Sequence, residues 1–84
     1  MAHVRMYTTP YCPFCHAAKD LLAAKGVSFE EIDVDGKPEQ RRRLREDTGQ
    51  RTVPQIFIGD ESIGGFDELS ALERSGQLDA KLAG

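Results

Sequence analysis

The sequence predicts an α/β sandwich in the order βαβαββα, folded as one domain over residues 1–84. Short segments with an apolar period of two alternate with segments that carry a helical apolar stripe. An 84-residue chain has room for one hydrophobic core only. The first two strands flank a helix and should be parallel, whereas the last two are joined by a tight turn and should be antiparallel.

The first half of the chain predicts a strand, a helix and a second strand. Residues 4–7 alternate apolar and polar side chains, which indicates the first strand. After a loop with two prolines, apolar residues recur at the spacing of an amphipathic helix, namely at Phe14, Ala17, Ala18, Leu21 and Leu22. Gly26 is placed to end this helix. Residues 29–34, F-E-E-I-D-V, predict the second strand.

The second half predicts two further helices, a strand hairpin and a short terminal helical segment. The hairpin strands are the compact apolar run V-P-Q-I-F-I and a short S-I segment, separated by the turn G-D-E. The elements are a helix at 38–48 closed by Gly49, strands at 53–58 and 62–63, a helix at 66–75, and a final helical segment after Gly76.

Charge and composition argue against some classes of binding partner. The formal net charge of −3 and the pI near 5.3 disfavour nucleic-acid binding. The basic run from Arg41 to Arg45 has no aromatic residues and is flanked by acids. Glu39 with Arg43 and Arg42 with Glu46 form i, i+4 pairs of opposite charge, as expected of a solvated helix face. No stretch resembles a signal peptide or a membrane span, so we expect a cytoplasmic protein that binds neither membrane nor nucleic acid.

The segment C-P-F-C-H, residues 12–16, allows three interpretations: haem attachment, half of a zinc site, or a redox-active dithiol. Cys12 and Cys15 are the only cysteines, and a disulfide that closes so short a loop would add little to the stability of the fold. In a reducing compartment such a pair is catalytic or metal-binding. We therefore expect the pair to be kept for its reactivity.

The position of Cys12 favours the dithiol. Pro13 suits the first position of a helix, which makes Cys12 the N-cap, with its sulfur facing the free N–H groups of Phe14 and Cys15. Such a setting favours the thiolate, which is the nucleophilic form. We expect Cys12 to be exposed and to attack. Cys15 aligns with Ala18 in the helix, so we expect it to be shielded and to act as the resolving thiol.

The two other interpretations have less support. Haem attachment of this kind needs export, for which the sequence shows no signal. Zinc would need four ligands, and Cys12, Cys15, His16 and the distant His3 do not match the usual spacing. A redox dithiol without a metal site is therefore the favoured interpretation, with metal or cluster binding as its competitor.

Three motifs in register carry a resemblance to a known family. C-P-F-C at 12–15, T-V-P at 52–54 and G-G-F-D at 64–67 resemble, in order and spacing, the motifs of the dithiol glutaredoxins. The resemblance extends over nearly the whole chain. It implies a thioredoxin-like fold, in which a four-stranded mixed sheet carries helices on both faces and the antiparallel hairpin lies at one edge.

The resemblance also implies a glutathione site. In that family the T-V-P proline is cis, and the backbone of the preceding residue, here Val53, pairs with an extended substrate. Free N–H groups of Phe66 and Asp67 would hold the γ-glutamyl carboxylate, and the Asp67 side chain the ammonium. The full set of implied glutathione-binding residues is Phe14, Arg41, Thr52, Val53, Pro54, Gly65, Phe66 and Asp67.

Two positions concern the glycine carboxylate of glutathione. A polar residue at the position of Arg41 meets this carboxylate in the family, and a guanidinium would suit a bidentate contact. Many relatives carry a lysine three residues before the first cysteine, whereas this chain has Thr9. We therefore expect Arg41 to carry more of the contact, and Arg41→Ala to raise KM more than it changes kcat.

The activity implied by the resemblance is reduction of protein disulfides and of protein–glutathione mixed disulfides. Glutathione would be a co-substrate, no cofactor would be bound, and the protein would act as a monomer on disulfide or glutathionylated protein substrates. Two alternatives remain at this point: a redoxin recharged by thioredoxin reductase, and an iron–sulfur cluster carrier that uses Cys12 and glutathione. Pro13 stiffens the loop and disfavours the carrier.

Overall fold

The fold consists of four strands and four helices in a computed structural model that describes residues 2–83. The first and last residues of the predicted domain, Met1 and Gly84, lie outside the described residues. The elements are β1 (Val4–Thr8), α1 (Pro13–Ala24), β2 (Glu30–Asp33), α2 (Pro38–Thr48), β3 (Gln55–Ile58), β4 (Glu61–Gly64), α3 (Phe66–Arg74) and α4 (Gln77–Ala83).

The predicted element order is confirmed, and the limits of α2 agree at both ends. Pro38 lies in its first turn, and Gly49 adopts φ 72° immediately after its last residue. The prediction for the third strand was wrong at its start, because β3 begins at Gln55 and not at Val53. Pro54 has no N–H to donate to a strand ladder, which excludes it from the paired segment.

The sheet has the strand order β2-β1-β3-β4. β1 and β2 are parallel, with Met6 opposite Glu31, as predicted. β3 is antiparallel to β1 and to β4, so the predicted antiparallel hairpin forms one side of the sheet. This arrangement places the end of β1, the start of α1 and the start of β3 at the same edge of the sheet.

Helices cover both faces of the sheet, as predicted. On one face, α1, α3 and α4 contribute to a core cluster that is made of Val4, Met6, Ala18, Leu22, Val27, Ile56, Ile58, Leu69, Leu78 and Leu82. On the other face, Leu44 of α2 packs with Tyr7, Val34 and Phe57. No helix among residues 2–83 is both long and apolar enough to span a membrane.

Phe14 is an exception to the predicted apolar stripe of α1, because its side chain is 60 % exposed. The buried line of the helix instead runs through Cys15, Ala18 and Leu22. Each residue turns a helix by about 100°, so Phe14 lies to one side of this line. The spacing alone assigns Phe14 to the apolar stripe of the helix, whereas in the structure Phe14 is a surface residue two positions after Cys12.

Candidate functional site

Cys12 is the N-cap of α1, as predicted. Its backbone is extended, Pro13 follows in the first turn, and the Cys15 N–H donates a hydrogen bond to Cys12 Sγ over 3.2 Å. The Cys12 thiol in turn lies 3.5 Å from the carbonyl oxygen of Val53, to which it donates. Cys12 is half-buried, and its sulfur contacts backbone groups of both Cys15 and Val53.

Cys15 lies one turn into α1 and is completely buried. Both cysteines are free thiols in this structure. Burial, followed by the hydrogen bond with Cys12, raises the pKa of Cys15 to about 12, against the opposing effects of the Thr9 backbone and the Lys19 charge. Cys15 is thus shielded and protonated, as predicted, whereas Cys12, which was expected to be exposed, is half-buried.

A groove of about 400 Å³ lies beside Cys12. Three segments that are far apart in sequence form it: the start of α1, the loop before β3 and the junction of β4 with α3. Its lining residues are Phe14, Gln50, Thr52, Val53, Pro54, Gln55, Gly64, Gly65, Phe66, Asp67 and Glu68. All the glutathione-binding residues that the sequence predicted, except Arg41, line this groove.

Two aromatic rings form one wall of the groove. Phe14 and Phe66 stack with their ring centroids 6.3 Å apart and their planes 28° from parallel. Phe66 is half-buried, whereas Phe14 is largely exposed. The wall therefore combines a fixed ring on α3 with an accessible ring two residues from Cys12.

The peptide bond between Val53 and Pro54 is cis, as the resemblance implied. Val53 connects this segment to the dithiol, because its carbonyl oxygen is the acceptor for Cys12. The next residue, Gln55, is 5 % exposed and donates from Nε2 to Thr52 Oγ1 over 3.2 Å. This bond closes the loop across Val53 and fixes the floor of the groove.

The junction of β4 and α3 contains a glycine that cannot be replaced without strain. Gly64 has φ 108°, and a Cβ at this position would lie 2.7 Å from Glu68 Oε1. The Gly65 N–H donates to the same Glu68 oxygen over 2.7 Å. The N–H groups of Phe66 and Asp67, in the first turn of α3, have no such carboxylate and face the groove end of the helix.

The predicted glutathione-binding set left out four lining residues: Gly64, which belongs to the G-G-F-D motif, and Gln50, Gln55 and Glu68, which belong to no motif. The signal for Glu68 was its place three residues after the N-cap, where a glutamate closes back onto the N-cap N–H. The signal for Gln55 was a polar residue inside an otherwise apolar strand. Gln50 is exposed and carried no signal.

Arg41 lies outside the groove. It lines a separate cavity of about 260 Å³ together with Pro38, Leu44, Arg45 and Arg51. Consecutive residues of the chain line the two cavities: Arg51 lines the smaller one and Thr52 lines the groove. The structure therefore places Arg41 in a different cavity from the other predicted glutathione-binding residues.

Neither histidine joins the cysteines in a ligand cluster. His3 Nε2 lies 3.2 Å from Glu30 Oε1, and His16 Nε2 lies 3.0 Å from the carbonyl oxygen of Pro10. Within residues 2–83 no group of three or more histidine, cysteine or acidic side chains is arranged to hold a metal ion.

Comparisons with known proteins agree with this geometry. A family model described as glutaredoxin matches residues 4–63. A glutaredoxin of Pseudomonas aeruginosa is 55 % identical over 83 residues, which are 99 % of each chain. Glutaredoxin 3 of Escherichia coli is 50 % identical over 82 residues, which are 98 % of this chain and 99 % of that protein.

The structural comparison points in the same direction. A crystal structure of a buckwheat glutaredoxin–glutathione complex superposes with a TM-score of 0.88 at 32 % identity. The match covers 98 % of this chain and 77 % of the buckwheat chain. Sequence and fold thus indicate the same family, over almost the whole length of the chain.

Proposed function

Because the chain belongs to the glutaredoxin family, whose members are glutathione-dependent thiol–disulfide oxidoreductases, we propose that Cys12 is the nucleophile and that the groove beside it binds glutathione. One relationship supports this most directly: the Cys12 sulfur sits at the start of α1, within 3.2 Å of a backbone N–H. Its neighbours Phe14 and Val53 both line the groove. A ligand held there has its sulfur close to the Cys12 sulfur.

The first step is attack by the Cys12 thiolate on a disulfide sulfur of the substrate. A bond forms between Cys12 Sγ and that sulfur, the original S–S bond breaks, and the other sulfur leaves with the electron pair and takes up a proton. The Cys15 N–H and the positive end of the α1 dipole stabilise the attacking thiolate. For a glutathionylated protein, the protein thiol leaves and glutathione stays on Cys12.

The second step has two routes. In one, a glutathione thiolate attacks the mixed disulfide at Cys12 and releases oxidised glutathione. In the other, used for a protein disulfide, Cys15 attacks Cys12 Sγ and forms the Cys12–Cys15 bridge while the substrate sulfur leaves as a thiol. Two glutathione molecules then reduce this bridge. The burial of Cys15 shields it from direct attack on substrates and reserves it for this intramolecular step.

Glutathione is the co-substrate, and the groove offers complementary groups for it. The free N–H groups of Phe66 and Asp67 suit the γ-glutamyl carboxylate, and the Asp67 carboxylate suits the ammonium. The Val53 backbone suits the extended peptide of glutathione. A groove of about 400 Å³ lies within the size range of sites for small ligands.

Arg41 is proposed to meet the glycine carboxylate of glutathione from the adjoining cavity. Arg51 lines the same cavity and directly precedes Thr52 of the groove, so the end of a bound tripeptide could reach both guanidinium groups. With Thr9 in place of a lysine, Arg41→Ala should raise KM for glutathionylated substrates with a smaller change in kcat. An unchanged KM would show that Arg41 does not contact bound glutathione.

The proposed chemistry needs one chain only, because both cysteines and the groove belong to the same subunit. We accordingly propose a monomer that acts on disulfide and glutathionylated proteins. A reducing, cytoplasmic compartment would suit it, because the dithiol must be returned to the reduced state after each turnover.

The test is a coupled assay in which glutathione, glutathione reductase and NADPH drive turnover of a glutathionylated peptide and of a protein disulfide. Cys12→Ser should lose both activities. Cys15→Ser should keep the first and lose most of the second, because only the second requires the intramolecular bridge.

A parallel assay replaces glutathione and its reductase by thioredoxin reductase. Turnover sustained only in that assay would reject glutathione as the co-substrate. Full activity of Cys12→Ser with the glutathionylated peptide would reject Cys12 as the nucleophile. Loss of both activities in Cys15→Ser would contradict the division of roles between the two thiols.

A further inference from the structure

A polar cluster lies on the side of α1 away from the groove and has no role in the steps above. Lys19 Nζ donates to Glu31 Oε2 over 2.9 Å, and Thr8 Oγ1 donates to the same oxygen over 2.7 Å. Thr8 is 1 % exposed, and the Lys19 side chain is 23 % exposed. One carboxylate oxygen therefore fixes a mostly buried ammonium group against the end of β1.

The cluster includes a residue on the same side of α1 as the buried thiol. Lys19 follows Cys15 by one helical turn, and side chains in a helix lean towards its N-terminus, so the Lys19 side chain extends along the turn that carries Cys15. Residues four apart in a helix are neighbours on its surface. Lys19 therefore links the neighbourhood of Cys15 to Glu31 and Thr8.

The chemistry of Cys15 requires such a group. The intramolecular step needs the Cys15 thiolate, yet burial and the bond with Cys12 raise the pKa of Cys15 to about 12. Among the neighbours of this thiol, the Thr9 backbone and the Lys19 charge act in the opposite direction. A cation held one helical turn from Cys15 therefore opposes part of the effect of burial.

We propose that Lys19, held in place by Glu31 and Thr8, is a positioning residue for bridge closure, in which it stabilises the Cys15 thiolate as this attacks Cys12. The proposal rests on the proposed function of Cys15 as resolving thiol. In the step, Cys15 releases its proton to solvent and forms a bond with Cys12 Sγ. The bond from Cys12 to the substrate sulfur breaks, and that sulfur leaves with the electron pair and takes up a proton.

Glu31 remains charged under ordinary conditions, so the cluster persists. The Lys19 ammonium and then the Thr8 hydroxyl lower the pKa of the Glu31 carboxyl, and the His16 charge acts in the same direction. A cavity of about 320 Å³ lies beside the cluster and is lined by Thr8, Pro10, His16, Lys19, Glu31 and Asp33.

The experiment follows bridge closure by itself. Reduced protein is mixed with excess hydroxyethyl disulfide, quenched with acid at intervals, and analysed by intact mass, which separates the mixed disulfide at Cys12 from the closed bridge. The variants are Lys19→Met, Lys19→Arg and, as the matched control, Lys25→Met. Lys25 is also ion-paired, with Glu73 and Asp79, but lies ten residues after Cys15, about 15 Å along the helix.

Lys19→Met should slow closure about two- to fivefold at pH 7.5, the range expected for one partly exposed charge. Its rate profile should shift to higher pH, because Cys15 would then ionise with the help of the Thr9 backbone only. Lys19→Arg should retain most of the rate. Lys25→Met, with the same change in net charge, should close at the wild-type rate.

A double-variant cycle separates this role from a structural one. In a Cys15→Ser background Lys19→Met has no thiol to act on, so turnover of a glutathionylated peptide should equal that of Cys15→Ser alone. An unchanged closure rate in Lys19→Met, an equal loss in Lys25→Met, or a further loss in the Cys15→Ser background would each overturn the proposal. Hydroxyethyl disulfide contains no glutathione, so the result stands even if glutathione proves not to be the co-substrate.

Discussion

The amide N–H of Cys15 donates a hydrogen bond to the sulfur of Cys12 over 3.2 Å, while the thiol of Cys15 is itself completely buried. Cys15 thereby stabilises the attacking sulfur of Cys12 through its backbone N–H, while its own thiol remains buried in the core. The first turn of α1 produces this division, because the N-cap faces outwards and the third helical position faces the core. The difference between the two thiols can be tested in several ways.

Iodoacetamide at pH 7 should modify Cys12 and leave Cys15 intact in the native protein. Cys15 is inaccessible, and with a pKa of about 12 it is almost entirely protonated at this pH. Intact mass and peptide mapping would count and locate the modified residues. Native Cys12→Ser should remain unmodified, and both thiols should react in denaturant; comparable modification of both cysteines in the native wild type would contradict the burial of Cys15.

Phe14→Ala should raise KM for glutathionylated substrates about threefold or more. The substitution removes the accessible half of the aromatic wall that Phe14 forms with Phe66, and with it part of the apolar surface that a ligand covers. Steady-state kinetics would measure the change. Tyr11→Ala is the matched control, because Tyr11 is 80 % exposed and does not line the groove; an equal rise in both variants would assign the effect to something other than the wall.

Gly64→Ala should lower the free energy of unfolding more than Gly49→Ala. Both glycines have positive φ, where an alanine costs about 1–2 kcal/mol. Only at Gly64 does the added Cβ meet another group, Glu68 Oε1 at 2.7 Å, whereas Gly49 has open space around it. Urea denaturation would compare the two variants. Equal losses of unfolding free energy in the two variants would show that the Glu68 side chain moves away from the added Cβ without measurable cost.

Tyr7→Phe should destabilise the protein at pH 7 by about 1 kcal/mol, because it removes the hydrogen bond from the Tyr7 hydroxyl to Asp47 Oδ2. Burial, followed by this hydrogen bond, raises the pKa of Tyr7 to about 12 from 10.0. The folded protein thus keeps the proton more tightly than the unfolded chain. The stabilisation is complete below pH 10 and is lost as the pH rises from about 10 to about 12.

The measurement for Tyr7 is the free energy of unfolding of both proteins from pH 7 to pH 11. The advantage of the wild type over Tyr7→Phe should shrink above about pH 10, where tyrosine in the unfolded chain ionises. Tyr11→Phe is the control, because the exposed Tyr11 should leave the pH dependence of stability as in the wild type. Parallel curves for the wild type and Tyr7→Phe would contradict the raised pKa.

Local signals in the sequence were sufficient for much of the fold. The limits of α2 agree at both ends because Pro38 and Gly49 act on neighbouring residues only. The N-cap position of Cys12 followed from Pro13 for the same reason. The strand pairing followed from connection lengths, since a helix separates parallel strands and a tight turn joins antiparallel ones.

Most of the groove was also predictable, but through the resemblance rather than through periodicity. The motifs at 52–54 and 64–67 named residues that the structure does bring beside Cys12. Periodicity alone was wrong for Phe14, because an apolar residue near a helical stripe can lie on either side of it. Glu68 was missed although its position relative to the N-cap was a local signal.

The order of the elements, the start of α1 and the identity of the two thiols could all be predicted, because each depends on residues within a few positions of one another. Three further features became visible only in the folded chain: Phe14 and Phe66 form one wall, Arg41 lies in a separate cavity, and Lys19 pairs with Glu31. These contacts join segments distant in sequence. Their geometry is fixed by how the helices pack on the sheet, which no local pattern of residues records.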